Sequence, residues 1–565
     1  MKNNLLMAAV AILATCVLLP ATMFAQSGNL PDGIEIIHEC DTTWHFGYKG
    51  INLYSRPMHR IDIAYPSVDA RGSAIRLSGS IVIPGNVYDG SSPVDGVLLY
   101  NRYTQLSPEC CPSRGFAEGE FLFMCTPLNP NWILVESDFY GFGITGEHIS
   151  DQYYVYGDAN GHASIDCLLA ARQVLDVRGI SQGKYLLNAG VSSGGYDCLA
   201  TQRVRDTYYK DVIRFDKTLA AAAPFDVNRA YSVCIDQKDN PEQDILFALI
   251  ALNAFNRQDS LGFTSQELFT DTLAPKFDNW FNTGRYSTSQ LRDSLKMLGI
   301  KTFSDAVRPQ FADRYSDEYK KLDAAMRAHD LEKGWTPDPN QSYYYMHYAH
   351  DAAVPNASGR DFLDFLVGKG GYKKSLVPEL TNLTTCMYIM SDSHYISAIQ
   401  FMFHLAATLA AYPILYYDGE LNTYYYDLVK EGTPMGIIKL LEEKGIDVAQ
   451  VFNSLIGSDD SGGDVDFYSL LATLNKYDET LQEYGTSLGE ILVIADDSGL
   501  SLIDIMEIVS YLNSKNAERA AGSAAASRAM REKADEQLVG DYFYNSLLDW
   551  LRENGVEMSD LQIGL

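Results

Sequence analysis

Residues 184–199, KYLLNAGVSSGGYDCL, constrain this chain more than any other stretch. The apolar run Tyr185-Leu186-Leu187 leads into Gly190-Val191-Ser192-Ser193-Gly194-Gly195, and a helix-like segment continues from Tyr196. A buried strand feeding G-x-S-x-G feeding a helix is a nucleophile elbow. A serine hydroxyl is a weak nucleophile, so it must be held clear of the sheet, where a base can take its proton. A sharp turn does this by forcing Ser192 into a strained backbone conformation. Gly190 and Gly194 carry no Cβ, which lets strand and helix close up around the turn. The N–H of Ser193 then falls at a helix N-terminus, where it can stabilise negative charge. The pattern alone is not decisive, because composition produces G-x-S-x-G by chance in roughly one chain in seven of this length. The rest of the chain has to supply partners for the serine.

With 565 residues, the chain is long enough for two or three units, and 46% hydrophobic content provides for a large core. A formal charge of −29 disfavours nucleic acid and anionic membrane surfaces as partners. Residues 1–25 read as a signal peptide: Lys2 is the only charge ahead of an apolar run over 5–24, and Ala25 is a small residue at the cut. Export with cleavage is the expectation, to the periplasm, the outer membrane or the outside of a bacterial-type envelope, with no integral membrane domain in the mature chain. The run is also long enough for an uncleaved anchor, and Leu13-Ala14-Thr15-Cys16 loosely resembles a lipoprotein box. An oxidising compartment permits disulfides, and Cys110 or Cys111 with Cys125 is the expected local pair. Cys167, Cys198 and Cys386 lie in apolar patterns and read as buried thiols. No C-x-x-C occurs, so no cysteine zinc site is indicated.

Along the chain, 34–39, 59–66 and 74–84 alternate or are β-branched and predict antiparallel strands. The continuous apolar runs 97–100 and 132–135 suit parallel strands buried on both faces. A helix is expected over 157–176, and strands over 218–223, 343–348 and 385–390, with helices over 359–367 and 396–411. Strands alternating with helices in this order imply an α/β sheet. Residues 224–340 interrupt the alternation with helical patterns at 243–256, 289–298 and 315–332. They read as an inserted helical cap over the strand ends, where such a sheet binds its ligand. The body of the fold therefore spans 26–415. From about 416 the strands stop, and 416–565 read as an extra helical C-terminal region. The acidic loop 458–463 lacks the spacing of a calcium loop and reads as a linker.

An elbow requires an acid and then a histidine after the serine in chain order. The histidines beyond Ser192 are His329, His347, His350, His394 and His404. The segment YYMHYAHDAAVP at 344–355 is a strand running into a loop, with Asp351 just beyond the strand. Past Asp351 only His394 and His404 remain. His394 directly follows the strand 385–390, whereas His404 sits inside an apolar helical run and reads as a core or half-buried residue.

At this point the chain resembles the α/β-hydrolase superfamily, in its secreted esterase, lipase and peptidase branches. GVSSGG matches the elbow, and HYAHDAAVP at 347–355 is similar to the acid loop. His394 followed by Ala398, Phe401 and a helix matches the histidine loop. Glu136-Ser137-Asp138-Phe139-Tyr140-Gly141-Phe142-Gly143 resembles an aspartate-x-x-glycine-x-glycine turn after an early strand. The resemblance implies a mainly parallel central sheet and a Ser192–His394–Asp351 triad acting through an acyl-enzyme, without metal or organic cofactor. It implies an oxyanion hole from the N–H of Ser193 and one from Arg102 or Tyr103. Many relatives carry His-Gly after that strand, where this chain has Asn101-Arg102-Tyr103-Thr104. Hydrolysis of a carboxylic ester is the leading expectation. An exopeptidase or acyl-peptide hydrolase on the same triad, and a non-catalytic binding protein on this fold, are the alternatives.

Overall fold

The computed structural model describes residues 30–48, 51–114, 131–348, 351–372, 374–375, 383–388 and 561–564, with positions 394, 398, 401, 402, 404, 405, 408, 409 and 412. The described residues open with an antiparallel meander, β1 (Glu35–Tyr48), β2 (Ile51–Val68) and β3 (Ala74–Pro84). Then come β4 (Gly96–Asn101), β5 (Trp132–Ser137), β6 (Tyr185–Val191), β7 (Lys217–Ala221), β8 (Tyr343–Tyr348), β9 (Lys374–Ser375) and β10 (Leu383–Tyr388). With β11 (Leu561–Gly564), the sheet order is β11-β1-β2-β3-β5-β4-β6-β7-β8-β10-β9. Pairing is parallel from β5 through β4, β6, β7, β8 and β10 to β9, and antiparallel on the β3 side. The expected α/β architecture with a mainly parallel centre is therefore present.

The continuous apolar runs have the predicted cause. Every residue of β4, β5, β6 and β7 is buried. Successive residues of a strand face opposite sides, so Val97 and Leu99 enter the core layered by helix α1 (Gly157–Val177) through Ile165, Leu168 and Val174. Leu98 and Tyr100 enter the opposite core, together with Phe401, Leu405 and Leu409. These last three recur at a spacing of four, as one face of a helix requires. All described positions from 394 to 412 are helical, including His394, which was expected just before the helix rather than in it.

The elbow leads into α2 (Ser193–Tyr208). The insertion after β7 is helical, as expected, but richer than the periodicity indicated. It contains α3 (Val227–Asp236), α4 (Leu246–Gln258), α5 (Ala274–Phe281), α6 (Thr288–Met297) and α7 (Asp317–Ala328). The unforeseen α3 starts where the Asp226 carboxylate accepts the N–H of Arg229 at 2.8 Å, which satisfies a donor that a helix start leaves open. The insertion is tied to the loop after β8 where the N–H of Asp244 donates to the carbonyl of Ala352 at 2.9 Å. After β8, α8 (Asn356–Gly370) runs longer than expected and stops at Gly371, whose φ of +67° suits glycine.

The helices expected over 416–565 and the acidic loop 458–463 lie outside the described residues. One element there departs from the expectation that strands stop. Residues Leu561–Gly564 form β11, antiparallel to β1. Cys125 also lies outside the described residues, so its pairing with Cys110 or Cys111 is not seen. Cys110 and Cys111 are unbridged among the described residues, as are the buried Cys167 and Cys198.

Candidate active site

Ser192 sits between β6 and α2 at φ +61° and ψ −128°. For a residue with a Cβ this conformation costs on the order of 1–3 kcal/mol, so the surroundings must impose it. The Ser192 N–H donates to the Ala221 carbonyl of β7 at 2.9 Å, and its carbonyl accepts the N–H of Tyr196 at 3.1 Å. A Cβ on Gly190 would lie 2.1 Å from the Gly194 carbonyl oxygen, and one on Gly194 would lie 2.1 Å from that of Asn101. Both glycines are therefore required by close approach, as the motif predicts.

The acid and base expected from chain order converge on this serine. His394 Nε2 lies 2.7 Å from Ser192 Oγ, and His394 Nδ1 lies 2.7 Å from Asp351 Oδ2. The other Asp351 oxygen accepts the N–H groups of Ala353 at 2.9 Å and Val354 at 2.8 Å. These bonds fix the carboxylate plane, so Oδ2 alone faces the imidazole. Burial works to raise the Asp351 carboxyl, but the His394 charge and hydrogen bond prevail and hold it below its ordinary range. Burial likewise works to lower His394, yet the Asp351 carboxylate prevails and raises it. The pair thus favours a carboxylate beside an imidazole ready to accept a proton.

His404 lies elsewhere. Its ring stacks on Tyr344 at 3.7 Å, and burial pushes its imidazole down to about 3. His347, passed over as a site residue, stands directly behind the acid. Its Nε2 donates to the Val354 carbonyl at 2.9 Å, and its Nδ1 meets the Tyr345 hydroxyl at 3.1 Å. It is fully buried, and burial lowers its imidazole. It braces the acid loop. The strand alternation that turns Tyr343, Tyr345 and His347 to one side was the signal available for it.

Across the elbow, the loop after β4 carries Arg102 and Tyr103. The Asn101 side chain donates to Asn188 Oδ1 at 2.9 Å and to the Ala189 carbonyl at 3.1 Å, and it accepts from Ser164 at 2.7 Å. The start of this loop is thereby locked to β6 and α1. A Cβ on Gly194 would also lie 2.6 Å from the Arg102 carbonyl carbon, so the loop rests on the first turn of α2. That turn includes Ser193, whose N–H has no intrahelical acceptor. Thr104, not singled out from the sequence, fastens the two segments. Its hydroxyl lies 3.1 Å from Ser193 Oγ and 2.9 Å from the Tyr154 hydroxyl.

An apolar cleft of about 500 Å³ opens over Ser192, lined by Val227, Ala230 and Tyr231 of α3, Phe247 and Ala251 of α4, and Met326 of α7. The Phe247 ring stands 5.7 Å from that of His394. The Arg292 guanidinium lies 5.1 Å above Phe247, and its Nε donates to Asp244 Oδ2 at 2.9 Å. Residues of the insertion therefore form a wall of the cleft over Ser192. No group of histidine, cysteine, aspartate or glutamate side chains is gathered as a metal site among the described residues. No described helix is long and apolar enough to cross a membrane.

No protein-family model matches the chain, and no curated protein matches it. Solved structures do. A Legionella pneumophila protein assigned as a hydrolase superposes with a TM-score of 0.52 at 15% identity, over 64% of this chain and 90% of that one. The rice cell wall degrading esterase LipA from Xanthomonas oryzae superposes with a TM-score of 0.51 at 16% identity, over 65% of this chain and 92% of its own. With the strand order above, these likenesses show that the chain has the α/β-hydrolase fold.

Proposed function

We propose that this protein is an exported serine hydrolase that cleaves carboxylic esters through an acyl-enzyme. The observation that carries the reading is the relay in which His394 spans Ser192 and Asp351, at 2.7 Å on each ring nitrogen. His394 takes the Ser192 proton as Oγ attacks the ester carbonyl. Asp351 keeps the Nδ1 proton in place and stabilises the imidazolium. The oxyanion is held by the N–H of Ser193 and by one from the Arg102–Tyr103 peptide region. The imidazolium then protonates the departing alkoxide, and water, deprotonated by the same histidine, releases the acid. The structural likeness to an esterase and the apolar cleft favour an ester with an apolar group over a peptide. Export rests on the apolar run after Lys2.

The test is covalent labelling. A fluorophosphonate should modify the wild-type protein at Ser192, and p-nitrophenyl butyrate should be turned over. Ser192→Ala should lose both while keeping its melting temperature. Labelling that persists in this variant, or a wild-type protein that neither labels nor turns over esters, would show the reading to be wrong.

A further inference from the structure

A second cavity, of about 430 Å³, adjoins the apolar cleft and shares Tyr154, Val155 and Ser193 with it. Its lining is more polar. Arg102, Thr104, Gln105, Gln152, Tyr154 and Asp197 all contribute to its lining. Asp197 stands out among them. It lies on the first turns of α2, only 5% exposed, and the ester-cleaving relay makes no use of it. Its Oδ1 accepts the Asn160 amide at 2.8 Å, and its Oδ2 takes no hydrogen bond among the described residues. The other carboxylate in the lining, Asp138, is already bonded by Ser78 and by the N–H of Ser113. Asp197 Oδ2 is therefore left open to whatever fills the cavity.

We propose that this cavity is a subsite for a hydroxyl-bearing portion of the substrate, recognised by the Asp197 carboxyl. The proposal rests on the esterase reading of Ser192 and deepens it: the substrate is amphipathic, with one portion in the apolar cleft and a hydroxylated one here. A hydroxyl suits the site better than an ammonium group. Thr104, Gln105 and Gln152 in the same lining are polar and uncharged. Burial also pushes the Asp197 carboxyl up to about 8, so near neutral pH it is an uncharged acid that can donate as well as accept. Such a group matches a neutral alcohol, and each buried hydrogen bond of this kind is worth about five- to tenfold in selectivity.

The experiment compares kcat/KM within one enzyme preparation, so that the active fraction cancels. One arm sets 2-hydroxyethyl butyrate against ethyl butyrate. The other sets ethyl 3-hydroxybutyrate against ethyl butyrate. The arms distinguish a hydroxyl on the alcohol side from one on the acyl side. The wild-type protein should prefer the hydroxylated ester in one arm by about five- to tenfold. Asp197→Asn, whose amide still donates into the cavity, should keep that preference, and Asp197→Leu should abolish it. Gln152→Phe, which fills the cavity from its other wall, should abolish it too and serves if the leucine variant does not fold. The proposal is overturned if ethyl butyrate is turned over with no preference in either arm, if the preference survives Asp197→Leu or Gln152→Phe, or if Asp197→Asn loses it. Failure of the esterase reading is distinct, since ethyl butyrate itself would then go unhydrolysed and Ser192 unlabelled.

Discussion

Replacing Asp351 by Asn changes one atom, and the structure dictates which one. Oδ1 accepts the N–H groups of Ala353 and Val354, so the amide oxygen must stay there. The amide nitrogen is then forced into the position of Oδ2, 2.7 Å from His394 Nδ1. An NH₂ group is a donor only, so Nδ1 must become the acceptor and the imidazole proton moves to Nε2. That proton now points at Ser192 Oγ, and the imidazole can no longer accept one from it. The expected loss in kcat is about 10⁴-fold, or roughly 5.5 kcal/mol in the barrier. The pH profile moves as well. In the wild-type protein the carboxylate favours the imidazolium and overcomes the burial that opposes it, so the acid limb of kcat/KM should lie above the ordinary imidazole value of ~6.5. In Asp351→Asn burial acts without that counter-charge, and the residual activity should titrate below it. The assay is p-nitrophenyl butyrate hydrolysis from pH 5 to 9, with circular dichroism confirming the fold. A variant within tenfold of wild type, or one whose acid limb stays in place, would refute the role of Asp351.

Thr104→Val removes the hydroxyl that joins the loop after β4 to Ser193 and Tyr154. It should lower kcat about ten- to hundredfold with little change in KM, and Thr104→Ser should restore it; equal losses in both variants would exclude a positioning role for the hydroxyl. Ala230→Phe places a ring in the apolar cleft from α3. The ratio of kcat/KM for p-nitrophenyl octanoate over acetate should fall more than tenfold, because each excluded methylene forfeits about 1 kcal/mol or more. An unchanged ratio would mean that the cap does not select the substrate.

What could be read from the sequence is what short-range physics controls. The elbow depends on residues within a few positions of Ser192, and two glycines whose missing side chains let backbones touch. The buried parallel strands announced themselves as unbroken apolar runs, because both of their faces are covered. The order serine, acid, histidine followed from topology, since strands deliver their loops to one edge of the sheet in sequence. That reasoning selected His394 over His404 and placed it on a serine 202 positions away.

Tertiary packing decided the rest. His347 and Asp351 lie four positions apart, one at the end of β8 and one in the loop beyond it, but only the fold turns Asp351 toward His394 and buries His347 behind it. Thr104 carries no motif, and its partners Ser193 and Tyr154 lie 89 and 50 residues away. The pairing of Asp197 with Asn160 across two helices left no trace in either segment. The cap showed itself as helical periodicity, yet which of its residues wall the cleft depends on how its helices lie against the sheet. Backbone turns are encoded by neighbours along the chain. Hydrogen bonds, burial and cavity walls are set by neighbours in space, and those exist only once the chain has folded.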